Sequence, residues 1–192
     1  MFGYRGYNKR RAFTLAEVLI TLGIIGTVAA MTIPTLMMNY QRNVWEAKLK
    51  KVYGIATNGC ERMLVEENVS SVNETSVYES ISDDTLKKYF KLMKEGKKVS
   101  GKGYSMQLPD SAVLYISTTD DGFKFITDVN GTETRPNMAG KDLFEFSLDK
   151  DCSYVTGIGD SATNEAKCFK ATAENDWKIP NSCGSAANGG KK

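Results

Sequence analysis

Between Lys9 and Met38 the chain reads KRRAFTLAEVLITLGIIGTVAAMTIPTLMM, and no other stretch restricts its fate as much. Three basic residues (Lys9, Arg10, Arg11) and a small one (Ala12) lead into an apolar run whose only charge is Glu17. The 21 residues from Phe13 to Ile33 cover roughly 31 Å as a helix, about the hydrocarbon thickness of a bilayer. Basic residues directly before such a span predict a cytoplasmic N-terminus, with everything after Met38 delivered to the far side. A secretory signal has a shorter apolar core followed by a small-x-small cleavage site. Ala29 and Ala30 imitate that site, but the run continues through Met31, Thr32, Ile33 and Pro34 with no return to polarity.

Glu17 is the anomaly. A carboxylate inside an apolar span is unfavourable by up to about 3 kcal/mol, and such groups usually mark a function with a specific partner. An unpaired carboxylate in lipid either protonates or finds a cation. The plainer alternative is a glutamate that snorkels to the cytoplasmic interface of an ordinary anchor helix.

The segment KRRAFTLAEVLITLGIIG resembles the class III signal of type IV pilins and type II secretion pseudopilins. The resemblance implies a prepilin peptidase cut between Ala12 and Phe13, N-methylation of the new Phe13 terminus, and Glu17 as the fifth residue of the mature chain. In that family the glutamate neutralises the terminal amine of an adjacent subunit as subunits leave the bilayer for a helical filament, so Phe13 and Glu17 are the expected assembly pair. Gly26 and Pro34 fall where many members carry Gly and Pro. Ala12 departs from the usual Gly before the cut, and Ala16 from the usual Ile before the glutamate. The resemblance also implies an inner-membrane assembly platform with its ATPase as partner, alongside the chain itself and other pilins or pseudopilins.

The rest of the chain suits one exported domain. Residues 1–12 hold four of the 25 cations and no anion, so the mature chain has 21 positive charges against 23 negative ones. That balance argues neither for nor against nucleic acid. The absence of His excludes a Ser-His-Asp triad, a Cys-His dyad and any His-ligated metal, and no other catalytic cluster is legible.

Trp45, Leu49, Val52, Ala56, Cys60 and Met63 recur at helical spacing, so the helix is expected to continue past the membrane to about Val65. Pro34 is expected to bend or open it. Residues 66–81 read as a surface loop. Ser82, Asp83 and Asp84 start a second helix that places Leu86, Tyr89, Phe90 and Met93 on one side and ends at Gly96. From Gly103 the period becomes two, and GYSMQL, AVLYIS, FKFITDV and LFEFSL predict four strands joined by tight turns and a longer loop from Asn130 to Asp142. The expected fold is α+β and pilin-like, a long N-terminal helix packed on a small antiparallel sheet. Its parts are a leader (1–12), a transmembrane and filament-core helix segment (13–38) and a periplasmic or extracellular head (39–192), in a single-pass protein of the bacterial inner membrane.

Three further features bear on function. Asp128, Asn130 and Asp142 around Gly131 offer oxygen ligands for calcium, which some pseudopilins carry in terminal loops, but no glutamate completes an EF-hand. The bland reading is an Asn-Gly turn whose Asp side chains cap backbone amides. Four cysteines beyond the membrane segment are expected to be oxidised. Pairing Cys152 with Cys168 would staple a polar, Gly-rich stretch and contribute about 3 kcal/mol in the chain-entropy model. Cys60 would then be an inert core thiol or a partner of Cys183. Finally, seven lysines lie between Lys87 and Lys102 with Glu95 the only acid. Along a filament such a patch suits DNA phosphates or an acidic segment of a neighbour, while a solvated face is the plainer reading.

Taken together, the expected function is a structural, non-enzymatic subunit of a type II secretion pseudopilus or a type IV pilus, assembled for secretion, adhesion or motility. The alternatives are a DNA-uptake pilin and a plain membrane-anchored exported domain.

Overall fold

The computed structural model describes residues 13–91, 94–155 and 163–184. The chain divides into two compact units, Met1–Gln41 and Arg42–Lys192. The described part of the first is formed by the N-terminal part of helix α1 (Leu15–Glu67), which is unbroken through Pro34. Its large apolar side chains are exposed from Phe13 to Tyr40, and by length and composition α1 is able to cross a membrane.

In the second unit α1 turns amphipathic. Leu49, Val52, Ala56, Cys60 and Met63 are fully buried, with Trp45 packed at the margin of the same core. This is the stripe that a 3.6-residue period dictates once water lies on one side only. Gly59 lies on the buried face for a local reason: a Cβ there would stand 2.3 Å from Cε1 of the Phe90 ring.

Residues 68–82 are more ordered than their polar composition predicts. A 3-10 turn (Val72–Glu74) and the one-turn helix α2 (Ser76–Glu79) each bury a valine, Val72 and Val77. Glu67 at the end of α1 organises them: its carboxylate accepts the Ser76 N–H at 2.7 Å, the Ser76 hydroxyl at 2.6 Å and the Tyr89 hydroxyl. Burial alone would raise the Glu67 carboxyl, but those hydrogen bonds outweigh it and hold the group below the usual carboxylate range.

Helix α3 (Asp83–Tyr89) starts as expected, with Ser82 as cap, but it stops at Tyr89. The expected continuation to Gly96 is therefore corrected: Lys94–Val99 is a strand, β1, and Met93 lies outside the described residues. The reason is local. Gly96 donates its N–H to Asp83 Oδ1 at 2.8 Å, and a Cβ at Gly96 would stand 2.1 Å from the Ser105 carbonyl oxygen, a close approach of two strands that only glycine allows.

Among the described residues β1 is followed by β2 (Gly103–Gln107), β3 (Val113–Thr119), β4 (Gly122–Asp128), β5 (Leu143–Asp149) and β6 (Tyr154–Val155), paired antiparallel in sequence order. The four strands legible in sequence form the middle of this sheet, and the two edges, β1 and β6, were not legible. Period-two alternation sets the packing: Phe144, Phe146 and Leu148 of β5 are buried, whereas Glu145 on the other face pairs with Lys124 at 3.0 Å. Helix α4 (Asn164–Glu174), also absent from the sequence reading, stacks Phe169 on Phe146 at 4.7 Å between ring centroids. Tyr53 of α1 meets both rings, at 5.7 and 5.5 Å. The result is an α+β domain with one sheet face covered by helices.

The disulfides differ from the expected Cys152–Cys168 and Cys60–Cys183 pairs. Cys60 bonds Cys152 and Cys168 bonds Cys183, each with Cα atoms 5.7 Å apart. Cys152, in the turn between β5 and β6, is buried with the α1 stripe where Cys60 lies, and Cys168 on α4 holds the C-terminal tail. Loop length did not discriminate, because the loops closed by Cys152–Cys168 and Cys168–Cys183 are almost the same size.

Candidate assembly site at the helix N-terminus

Thr14 precedes the first helical residue, and the pattern Thr14-Leu15-Ala16-Glu17 is a capping box. The Glu17 carboxylate accepts the Thr14 N–H and the Thr14 hydroxyl, both on Oε2 at 2.9 Å, while the Thr14 hydroxyl accepts the Glu17 N–H at 3.2 Å. Two backbone donors at a helix start are thus satisfied within the chain. Both bonds from Thr14 end on the same oxygen of Glu17, and Oε1 accepts no hydrogen bond among the described residues. The Thr14 and Glu17 atoms all lie on the C-terminal side of the Ala12–Phe13 bond, so the cap survives a cut there.

Phe13 is 86% exposed, and Glu17 is exposed among apolar neighbours that are exposed as well. Ala12, the expected residue before the cut, lies outside the described residues. Further along this segment the hydroxyls of Thr21, Thr27, Thr32 and Thr35 donate to carbonyls three or four residues earlier on the same helix, at 2.9–3.0 Å. The four threonines therefore satisfy their hydroxyl donors within the helix. Glu17 is then the only charged side chain between Phe13 and Tyr40. Thr14 is the residue of this candidate site not singled out in the sequence, and its signal was the Thr-x-x-Glu spacing.

The second expected site has a different geometry. Asp142 is fully buried, and its two oxygens accept the backbone N–H groups of Asn137 at 2.7 Å and Met138 at 2.6 Å. Asp128 accepts the Asn130 N–H at 3.3 Å. Asn130 donates from Nδ2 to the Arg135 carbonyl, and its Oδ1 is buried with no hydrogen-bond partner among the described residues. Burial first, and the charge of Asp142 second, push Asp128 up to about 6. The donor set does not fit calcium well: three side chains are present where six to eight oxygens are needed, and the best of them already holds two amides. Among the described residues no group of three or more His, Cys, Asp or Glu is arranged to hold a metal. The arrangement is that of a loop organised by carboxylate caps.

No curated protein and no solved structure matches the chain. Residues 7–33 match the model of the prokaryotic N-terminal methylation motif. With the helix start at Leu15, the capped Glu17 and the apolar surface that follows, the chain carries the signal of type IV pilins and pseudopilins.

Proposed function

We propose that the protein is a structural subunit of a type II secretion pseudopilus or a type IV pilus, stored in the inner membrane by residues 13–38 and assembled into a helical filament through the same surface. The observation that carries this reading is the coincidence of the methylation motif with a helix whose exposed apolar surface holds one carboxylate, Glu17. In the bilayer, lipid solvates that surface. In a filament, the equivalent helices of other copies replace the lipid, and apolar area is exchanged for apolar area. Little net hydrophobic energy is gained, so polar pairing decides the register.

Glu17 supplies that pairing. Cleavage before Phe13 creates an amine, and two groups that are each unfavourable alone in an apolar medium are tolerated only together. Oε2 is occupied by Thr14, and among the described residues Oε1 is open to the amine of a neighbouring copy. Prepilin peptidase is the processing partner in this reading, and an ATP-driven membrane platform supplies the work of extraction.

Mechanical shearing of producing cells, followed by fractionation, tests the proposal. The processed chain is expected in filamentous material, sheared from the surface for a pilus or recovered from the periplasm for a pseudopilus. A chain found only as dispersed membrane protein would count against both.

A further inference from the structure

We infer that the free, lysine-lined edge of the sheet at β1 is a docking surface for a second copy of this chain, and that it receives that copy's acidic hairpin turns at Asp120, Asp121 and Asp151. The inference rests on the filament reading and names which head surfaces meet in it.

Among the described residues β1 is the terminal strand, and one of its edges is unpaired. Lys91, Lys94, Lys97 and Lys98 are exposed, and their ammonium groups have no ion-pair or hydrogen-bond partner among the described residues. The nearest compensation is a loose Lys87–Glu95 contact at 3.9 Å. Lysines on an edge also oppose strand addition. The register of β1 against β2 shifts between Lys94 and Lys97, which breaks the regular ladder a further strand would need. The edge is built to take carboxylates and not another backbone.

Matching carboxylates lie on the same head. The β3–β4 turn carries Asp120 and Asp121, and the β5–β6 turn carries Asp151, all exposed. Both turns lie at one end of the sheet, because each joins the end of an odd strand to the start of an even one in an antiparallel meander. The one cation among them, Lys150, meets Asp121 at 3.9 Å. The turns are held in place: Asn73 Nδ2 donates to the Asp120 carbonyl at 3.4 Å, and the Val72 N–H donates to the Lys150 carbonyl at 2.9 Å.

Distance decides that the partner is another copy. From β1 the Asp120–Asp121 turn begins two inter-strand spacings away and the Asp151 turn four, roughly 10 and 19 Å, whereas charges in physiological salt are screened over about 8 Å. The two patches therefore do not neutralise each other within one head. A nucleic acid is the weaker fit: the patch contains no arginine and Glu95 stands inside it.

Two experiments test the docking. Full-length chain, half of it isotopically labelled, is assembled in its native membrane and treated with a carbodiimide that joins lysine amines to carboxylates. Mixed-isotope links are expected between peptides containing Lys94, Lys97 or Lys98 and peptides containing Asp120, Asp121 or Asp151. Mixed-isotope links elsewhere but not between these peptides would overturn the docking and leave the filament reading intact. No mixed-isotope link anywhere would overturn both. In the second experiment, Lys97→Glu with Lys98→Glu is expected to lower filament yield about tenfold through like-charge contact, and a copy carrying Asp120→Lys with Asp121→Lys is expected to restore it. Absence of rescue, with duplex DNA bound by the unaltered chain and released by the lysine substitutions, would assign the edge to nucleic acid instead.

Discussion

Thr14 and Glu17 cap the same helix reciprocally, each side chain accepting the other's backbone N–H, at 3.2 Å on the Thr14 hydroxyl and 2.9 Å on Glu17 Oε2. In the proposed filament the glutamate would therefore have two separable tasks, a local one at its own helix start and a remote one as the charge in an apolar surface. Gln serves at this position of a capping box almost as well as Glu but carries no charge.

Glu17→Gln is accordingly expected to leave the chain folded and membrane-inserted while the sheared filament fraction falls steeply, since removing one partner of a buried ion pair is unfavourable by about 3–5 kcal/mol. Thr14→Val removes the cap alone and is expected to weaken the helix start by about 1 kcal/mol, with a smaller loss of filament. Equal loss from the two substitutions would mean that capping, not charge, is what assembly requires.

The long helix and the middle of the sheet were legible because each rests on a period that one side of solvent imposes: Leu49, Val52, Ala56, Cys60 and Met63 at helical spacing, and Phe144, Phe146 and Leu148 at alternation. The edges were not. β1 reads KEGKKV, a composition that favours no strand, and it pairs only because Gly96 admits the Ser105 carbonyl and Asp83 caps its N–H. The start of helix α4 was hidden inside a stretch read as a disulfide loop, and the helix's signals were the Thr163 cap and, beyond that stretch, Phe169. At the assembly site Glu17 was legible from its incongruity, whereas Thr14 was not, because an isolated threonine in an apolar run carries no incongruity of its own. At Asp128, Asn130 and Asp142 the residue types alone did not reveal that Asp142 accepts the backbone N–H groups of Asn137 and Met138.

Peptide mapping without reduction is expected to recover Cys60 joined to Cys152 and Cys168 joined to Cys183. The first closes a loop with a sequence separation of 92 and the second one of 15. In the chain-entropy model they contribute about 4 to 5 and about 3 kcal/mol respectively, so Cys60→Ser with Cys152→Ser is expected to lower the denaturation midpoint more than Cys168→Ser with Cys183→Ser. The reverse order would contradict the placement of Cys60 in the core.

The Asp128 carboxyl gives a pH dependence whose sign is fixed. Its folded-state value is raised to about 6 from 3.8, so the fold favours the neutral acid. The corresponding stability is fully present below the unfolded value and is lost as pH rises through about 6. Asp128→Asn is expected to remove this slope and to raise stability at pH 7 by up to about 3 kcal/mol. Because Asp142 is already engaged by Asn137 and Met138, calcium is expected to leave the melting temperature of the unaltered chain unchanged. A clear rise would show that the loop takes the ion after all.

Gly59 tests the contact between α1 and the segment after α3. Alanine is intrinsically better in a helix by about 1 kcal/mol, but here its Cβ would overlap the Phe90 ring. Gly59→Ala is expected to lower the melting temperature, since overpacking of a core is unfavourable by about 1–3 kcal/mol. Adding Phe90→Leu is expected to recover part of the loss. Stabilisation by Gly59→Ala alone would mean that Phe90 does not pack there.

The most direct measurement is the mass and N-terminal sequence of the protein recovered from its native membrane. A chain beginning at N-methylated Phe13 is expected, and it would establish the processing on which assembly through Glu17 depends. A chain that still begins at Met1, or one cut after Ala30, would contradict the filament reading and leave an anchored or secreted domain with no assembly site.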